Sequence, residues 1–396
     1  MSTRPRLDAL TGLRFLAAAA VAAVHLHALH HDTALSPTLR RFLDEGFAGV
    51  PFFFVLSGFV LAYSYHDRLA RPSRGDLVRY ALARVARIWP VYLLTLAVVA
   101  VWPLVPPPSG GWVVANLLLV HMWPPVLDPH PGLNPAAWSL AEEVFFYTCL
   151  PGLLWVAARI PAVGRLGLWA IAGAACLVQS GVMLWHCANL NPWSHYAMFC
   201  PPLRLCEFAV GVALGLDYVR AGGGADRPAG GRWFWTGLEL AAVAAVVAAV
   251  FHSFRVPLLY RLVGYYTPVF ALLIAVFARQ RGELSRALSG RAAVYLGEVS
   301  YSFYLIQLLV FMHLEPWVRA AEVGAVTQAG IFVGTTLLVS AAAHSWVEIP
   351  ARAWLVGLGR GGPRRQEGKK PDPVARPGRS WPAWLFQPRP GTGTRG

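Results

Sequence analysis

A chain of 396 residues, 56% hydrophobic and only 14% charged, is too apolar for a soluble globular protein and has the makeup of an integral membrane protein. Its net charge of +14 would suggest nucleic acid in a soluble chain. Here the bases fall between apolar runs with no recognition motif, which is the positive-inside pattern, and nucleic acid is set aside as a partner.

The first apolar stretch, residues 10–31, predicts a helix with no small-residue cleavage site, so it is expected to stay in the mature chain. A loop with Arg40, Arg41, Asp44 and Glu45 follows, then a second helix over about 46–66. Residues 67–88 carry Arg68, Arg71, Arg74, Arg79, Arg84 and Arg87, a cluster expected on the cytoplasmic side. A third helix is expected at 88–105, ending at a triple proline. Residues 112–123 are too short to span and predict a re-entrant or interfacial segment. Further helices fit 138–159, 166–185, 203–219, 235–252, 263–278, 294–313 and 325–346.

Ten crossings put both termini on one side. With the tail set aside, seventeen bases fall on that side and five on the other (Arg40, Arg41, Arg255, Arg261 and Arg319), so both ends are expected in the cytoplasm. The fold class expected is an all-α membrane bundle over residues 1–357. Residues 358–396, rich in Pro, Gly and bases, predict a disordered cytoplasmic tail. The five cysteines and the histidines show no metal-ligand spacing, so no metal is expected. A bridge between Cys187 and Cys200 would suit a loop placed outside.

Ionisable residues at membrane depth are costly and mark functional sites by default. Arg14 and His25 are eleven residues apart, close to three helical turns, so one face carries a cation and an imidazole separated by about 16 Å. The structural alternative is a snorkelling arginine and a satisfied core histidine. Ser139, Glu143 and Tyr147 follow at i, i+4, i+8 and share a face, with Glu142 pointing away from Glu143. An acid near a helix start is also what the dipole favours. Arg204 and Glu207, three apart, form a second pair that could simply hold the bundle together. Arg84 and Arg87 serve either as topology signals or as a phosphate clamp.

Together these residues resemble the acyltransferase 3 family of multi-pass membrane O-acyltransferases. Arg14 and His25 match its arginine–histidine signature. GVPFFFVLSGF at 49–59, which contains Ser57, is similar to its second-helix motif. ARVARIWPVYLL at 83–94 supplies its paired arginines, and WSLAEEVFFY at 138–147 its serine, acid and tyrosine. RLCEFAVG at 204–211, LGEVSYSFYL at 296–305 and VEIPAR at 347–352 follow in order. Two positions depart from the family: Thr11 stands where an acid is common, and Gln307 where a histidine often stands.

The resemblance implies transfer of an acyl group, acetyl as a rule, from a coenzyme A thioester to a hydroxyl of a carbohydrate, lipid or envelope glycan, or of a macrolide or other natural product. It implies catalytic roles for His25, Arg14 and Glu143. Donor binding would fall to Arg14, Arg84 and Arg87, with support from Ser57, Ser139, Tyr147, Arg204 and Glu207. Acyl-coenzyme A would be a co-substrate, with no tightly bound cofactor. The expected partners are the donor, a hydroxyl-bearing acceptor and membrane lipids, and the setting a bacterial cell membrane. Neutral imidazole suits removal of a hydroxyl proton, with Glu143 orienting the ring or stabilising its protonated form. Two courses are open, direct attack of the acceptor on the thioester or passage of the acyl group through His25 itself, and direct transfer is the expected one because Gln307 removes a second base. A transporter or flippase is the rival of a different class, but the internal repeat typical of that class is not seen.

Overall fold

The computed structural model describes residues 4–26, 36–103, 109–123, 132–159, 164–189, 193–224 and 230–358. Among the described residues there is no strand. In chain order the helices are α1 (Asp8–Val24), α2 (Pro37–Asp44), α3 (Gly49–Leu69), α4 (Arg74–Val101) and α5 (Gly110–Leu117). Then come α6 (Trp138–Arg159), α7 (Arg165–Ala188), α8 (Trp193–Met198), α9 (Pro201–Arg220) and α10 (Arg232–Ser253). The last are α11 (Leu258–Leu262), α12 (Thr267–Phe277), α13 (Glu283–Leu288), α14 (Arg291–Ala320), α15 (Ala325–Ala343) and α16 (Ile349–Leu358).

Nine helical stretches among the described residues are long and apolar enough to cross a membrane. They coincide with nine of the ten expected crossings. The remaining one, α1, has 17 residues and rises about 26 Å, a little short of the hydrocarbon thickness. It ends at Val24, with His25 as its C-cap, not at His31; residues 27–35 and the tail from 359 lie outside the described residues.

Two other boundaries differ from expectation. Arg40 and Arg41 belong to α2, which Ser36 caps by accepting a hydrogen bond from the Leu39 N–H at 3.2 Å. More consequentially, α4 starts fourteen residues before the expected third helix. Ser73 and Asp76 form a capping box there: the Asp76 N–H donates to Ser73 Oγ and the Ser73 N–H to Asp76 Oδ2, both at 3.1 Å. Arg84 and Arg87 therefore lie inside a membrane-crossing helix, not ahead of it.

Small residues set the closest approaches. On α9, Gly211 and Gly215 are four apart. A side chain at Gly211 would collide with the Val55 carbonyl, and one at Gly58 of α3 with the Phe208 carbonyl. This close backbone crossing is the one that small-xxx-small spacing permits in membranes. Around α1, Gly46 and Gly49 abut the carbonyls of Ala20 and Ala17, and Gly297 abuts that of Thr11.

The 112–123 segment does not span. α5 doubles back along α4, where the Tyr92 hydroxyl donates to the Asn116 carbonyl at 2.8 Å and Trp89 Nε1 to the Leu117 carbonyl at 3.2 Å. Trp89 and Tyr92 lie roughly 14–18 Å back from the end of α4, so the segment re-enters the bundle. All five cysteines are free, so Cys187 and Cys200 form no bridge.

Candidate active site

Arg14 projects from the first half of α1 and is partly buried. It makes no direct hydrogen bond or ion pair among the described residues, yet lies within electrostatic reach of Arg87, Glu143, Glu348 and Tyr147. Those groups come from three further elements, α4, α6 and the turn between α15 and α16. The antiparallel run from Gly46 into α3, fixed by Gly46 against Ala20 and Gly49 against Ala17, sets Arg14 level with Phe52, and Ser57 lies five residues further along α3. Ser57 Oγ donates to Glu143 Oε1 at 3.1 Å, and the Tyr147 hydroxyl, one turn along α6, donates to Glu143 Oε2 at 2.9 Å. Both oxygens of Glu143 are thus engaged on the Arg14 side of the bundle.

On the facing side Arg87 pairs with Glu348 and lies 4.6 Å from the centre of the Tyr301 ring. Glu348 Oε2 also accepts from Ser302 Oγ at 3.0 Å and lies 2.9 Å from His344 Nδ1. His344 to Glu348 is a single π-helical turn between α15 and α16. Wide turns of this kind are common at functional sites. One turn from Arg87, Arg84 sits among Tyr65, Tyr80 and Tyr147, 5.4, 5.8 and 5.6 Å from the ring centres, and donates to the Tyr65 hydroxyl at 3.2 Å. Arg352 is in electrostatic reach of Arg84 and Arg87. Four arginines against two carboxylates leave an excess of positive charge. Nη2 of Arg87 and Nε of Arg84 are buried without partners, so donors are available for an anionic ligand.

His25 stands apart from this cluster. It is half-buried at the other end of α1, and its backbone N–H donates to the Ala22 carbonyl at 3.0 Å. It lies about 16 Å along the helix from Arg14. The structure therefore groups Glu143 with Arg14 and leaves the imidazole at the opposite end of the same helix.

Glu142 and Glu143 do diverge. Glu142 turns to Arg204, with a carboxylate oxygen 3.6 Å from Nε. Arg204 Nη1 is 3.0 Å from Glu207 Oε1 and 2.9 Å from the Leu262 carbonyl, and the Gly264 N–H donates to the same Glu207 oxygen at 3.0 Å. This second cluster is completely buried and ties α6, α9 and the turn before α12 together. Ser139 is not drawn to Glu143. Its hydroxyl meets that of Tyr304 at 2.9 Å. Gln307 is buried, with its amide nitrogen unpartnered.

Sequence reasoning singles out no role for Glu348, His344 or Arg352. The available signal was an acid and a histidine four apart inside an apolar stretch, the same argument that marks Arg14. No group of three or more metal-ligating side chains occurs among the described residues.

A family model described as "Acyltransferase domain" matches residues 7–344. The chain is 31% identical to an acyltransferase of Streptomyces mycarofaciens named MdmB, over 93% of this chain and 96% of that one. It is 22% identical to the peptidoglycan O-acetyltransferase OatA of Listeria monocytogenes, over 88% of this chain and 56% of the relative. With the exopolysaccharide production protein ExoZ of Rhizobium meliloti the figures are 27%, 77% and 89%. No solved structure matches the chain.

Proposed function

The chain belongs to the acyltransferase family whose model spans residues 7–344, and from that premise we propose that it carries an acyl group, acetyl in this reading, from acyl-coenzyme A to a hydroxyl of a carbohydrate, lipid or envelope glycan. The observation that carries this reading is the convergence of Arg14, Arg84, Arg87 and Arg352 from α1, α4 and α16 on one intramembrane cluster with more cations than acids. A coenzyme A thioester brings phosphates, and planar guanidinium forks recognise phosphate well. The glycan acceptor is favoured because two relatives carry names that concern peptidoglycan and exopolysaccharide.

In this reading the phosphates rest on Arg84 and Arg87 at the cytoplasmic side. The extended arm of the donor passes Arg14 and runs along α1, so the thioester reaches His25 some three turns away. Neutral His25 takes the proton of the acceptor hydroxyl as its oxygen attacks the thioester carbon. The new C–O bond replaces the C–S bond, and the departing thiolate takes up the proton. Glu143 serves from the Arg14 side, fixing Ser57 and Tyr147 along the route, rather than orienting the imidazole. Both termini lie in the cytoplasm of a bacterial cell.

The test uses the purified full chain in detergent with acetyl-coenzyme A and a panel of glycan, lipid and soluble natural-product acceptors. The expected result is release of free coenzyme A thiol with label on a glycan or lipid hydroxyl. Label on a soluble natural product alone overturns the acceptor, and no thiol release with any acceptor overturns the donor.

A further inference from the structure

A second feature of the bundle lies away from the charged cluster. α7, α9 and α12 do not close against one another along their whole length. They leave a groove of about 470 Å³, floored by Phe59 of α3 and Val210 and Leu214 of α9. Its walls are Gly173 and Cys176 of α7 and Ala271 and Ala275 of α12. Phe59 is completely buried, whereas Trp169 and Leu272 on the rim are 38% and 47% exposed, so the groove opens sideways toward the bilayer.

Its polar groups gather at one end. Asp217, Tyr218 and Arg279 stand there, and the remaining lining is almost entirely apolar. Asp217 is already neutralised by Arg165, which donates from Nη2 to Oδ2 at 3.0 Å. The Tyr218 hydroxyl donates to the Ala278 carbonyl at 3.1 Å. Arg279 lies 5.0 Å from the centre of the Tyr218 ring and, like nearby Arg281, forms no ion pair among the described residues. The groove end is therefore a mouth with unpaired positive charge.

The length fits one chemistry. From Pro268 to Arg279 the rise is about 16 Å, and half of a hydrocarbon core is about 15 Å. An apolar slot one leaflet deep, open to lipid and ending in unpaired guanidinium groups, matches one acyl tail beneath an anionic headgroup. A zwitterionic lipid sets an ammonium beside its phosphate and leaves the net positive charge of the mouth unbalanced, and a polar soluble ligand would have to shed water to lie against apolar walls.

We propose that this groove is a binding site for an anionic phospholipid of the leaflet at the Arg279 end, with one tail between α7, α9 and α12 and the phosphate on Arg279 and Arg281. The site is independent of the acyl-transfer reading. The bound tail completes the packing of α7, a helix little buried by the rest of the chain.

The test is native mass spectrometry of the purified full chain titrated with phosphatidylglycerol and with phosphatidylcholine of identical tails. The expected result is one retained lipid per chain, with phosphatidylglycerol preferred by about fivefold or more, the scale of one basic side chain at a lipid surface. Arg279→Gln should erase the preference and leave tail binding. Gly173→Leu fills the slot, since a side chain there meets nothing within 4 Å, and should abolish retention with the melting temperature of the delipidated protein unchanged. Equal retention of both lipids by the native chain overturns the headgroup assignment, and retention undiminished in Gly173→Leu overturns the site. Should that variant melt early, loss or persistence of the headgroup preference in Arg279→Gln still decides.

Discussion

The proposed reaction assigns its chemistry to a few side chains whose replacement has distinct signatures. His25→Ala should leave donor binding intact and lower turnover by about 10² or more, the scale of a lost general base. Donor binding is read by calorimetry with a non-hydrolysable thioester analogue, and turnover by thiol release. A variant turning over normally ends the assignment. Arg84→Ala and Arg87→Ala should weaken the same analogue, and Arg14→Lys should not restore native activity, because a point charge replaces a fork. A different outcome belongs to Arg204. Its removal leaves Glu142 and Glu207 buried without their cation, a loss of about 3–5 kcal/mol, visible as a lower denaturation midpoint before any kinetic assay. Legibility differs among these residues. Arg14, His25 and Glu143 stand out because charge inside an apolar run is conspicuous. What the sequence does not disclose is partnership: that Glu143 bonds Ser57 and Tyr147 depends on where α3 and α6 cross, and crossings are set by contacts far apart in the chain.

Helices carry the next level of control. The α3–α9 crossing depends on Gly58, Gly211 and Gly215, whose carbonyl neighbours on the facing helix leave no room for a Cβ. Gly211→Val should push the pair apart and lower the yield of folded protein sharply, as judged by gel filtration in detergent. The control is Gly237→Ala on α10, where nothing lies within 4 Å. That change should be neutral or stabilise by up to about 1 kcal/mol, since it only removes backbone freedom. The same level explains why α4 begins earlier than expected. Residues 67–88 are rich in arginine and read as a loop, yet Ser73 and Asp76 already spell a capping box. Arginines at 84 and 87 then fall on a helix whose far end is apolar, and a window tuned to hydrophobicity misses its charged half. α1 fails in the other direction: its apolar pattern continues past Val24, and periodicity alone cannot tell where a helix stops.

At the scale of the whole molecule, the order of polar groups through the bundle ties the proposed reaction to an orientation. Arg84 and Arg87 lie on the first half of α4, and Arg352 on α16, while His25 ends α1 at the opposite side. If donor is supplied from the cytoplasm, the arginine end must face it and His25 must face outward. With Arg84 and Arg87 taken out of the count because they lie within α4, the bias of bases outside the tail is fifteen to five and predicts the same orientation from an unrelated principle. A reporter fused at residue 396 should therefore behave as cytoplasmic, and one inserted in the 253–262 connection between α10 and α12 as exterior. The two arguments are tested together, since an inverted reporter pattern would place His25 on the donor side and the arginine cluster away from it. A quenched reaction with labelled acyl-coenzyme A and no acceptor then addresses the separation of about 16 Å between Arg14 and His25. Both courses bring the thioester across it to His25, but in direct transfer the acyl group stays on sulfur until the acceptor oxygen attacks, so no label should stay on the protein while donor is demonstrably bound. Label recovered on a peptide containing His25 would show that the imidazole takes the acyl group, breaking the C–S bond before the acceptor arrives.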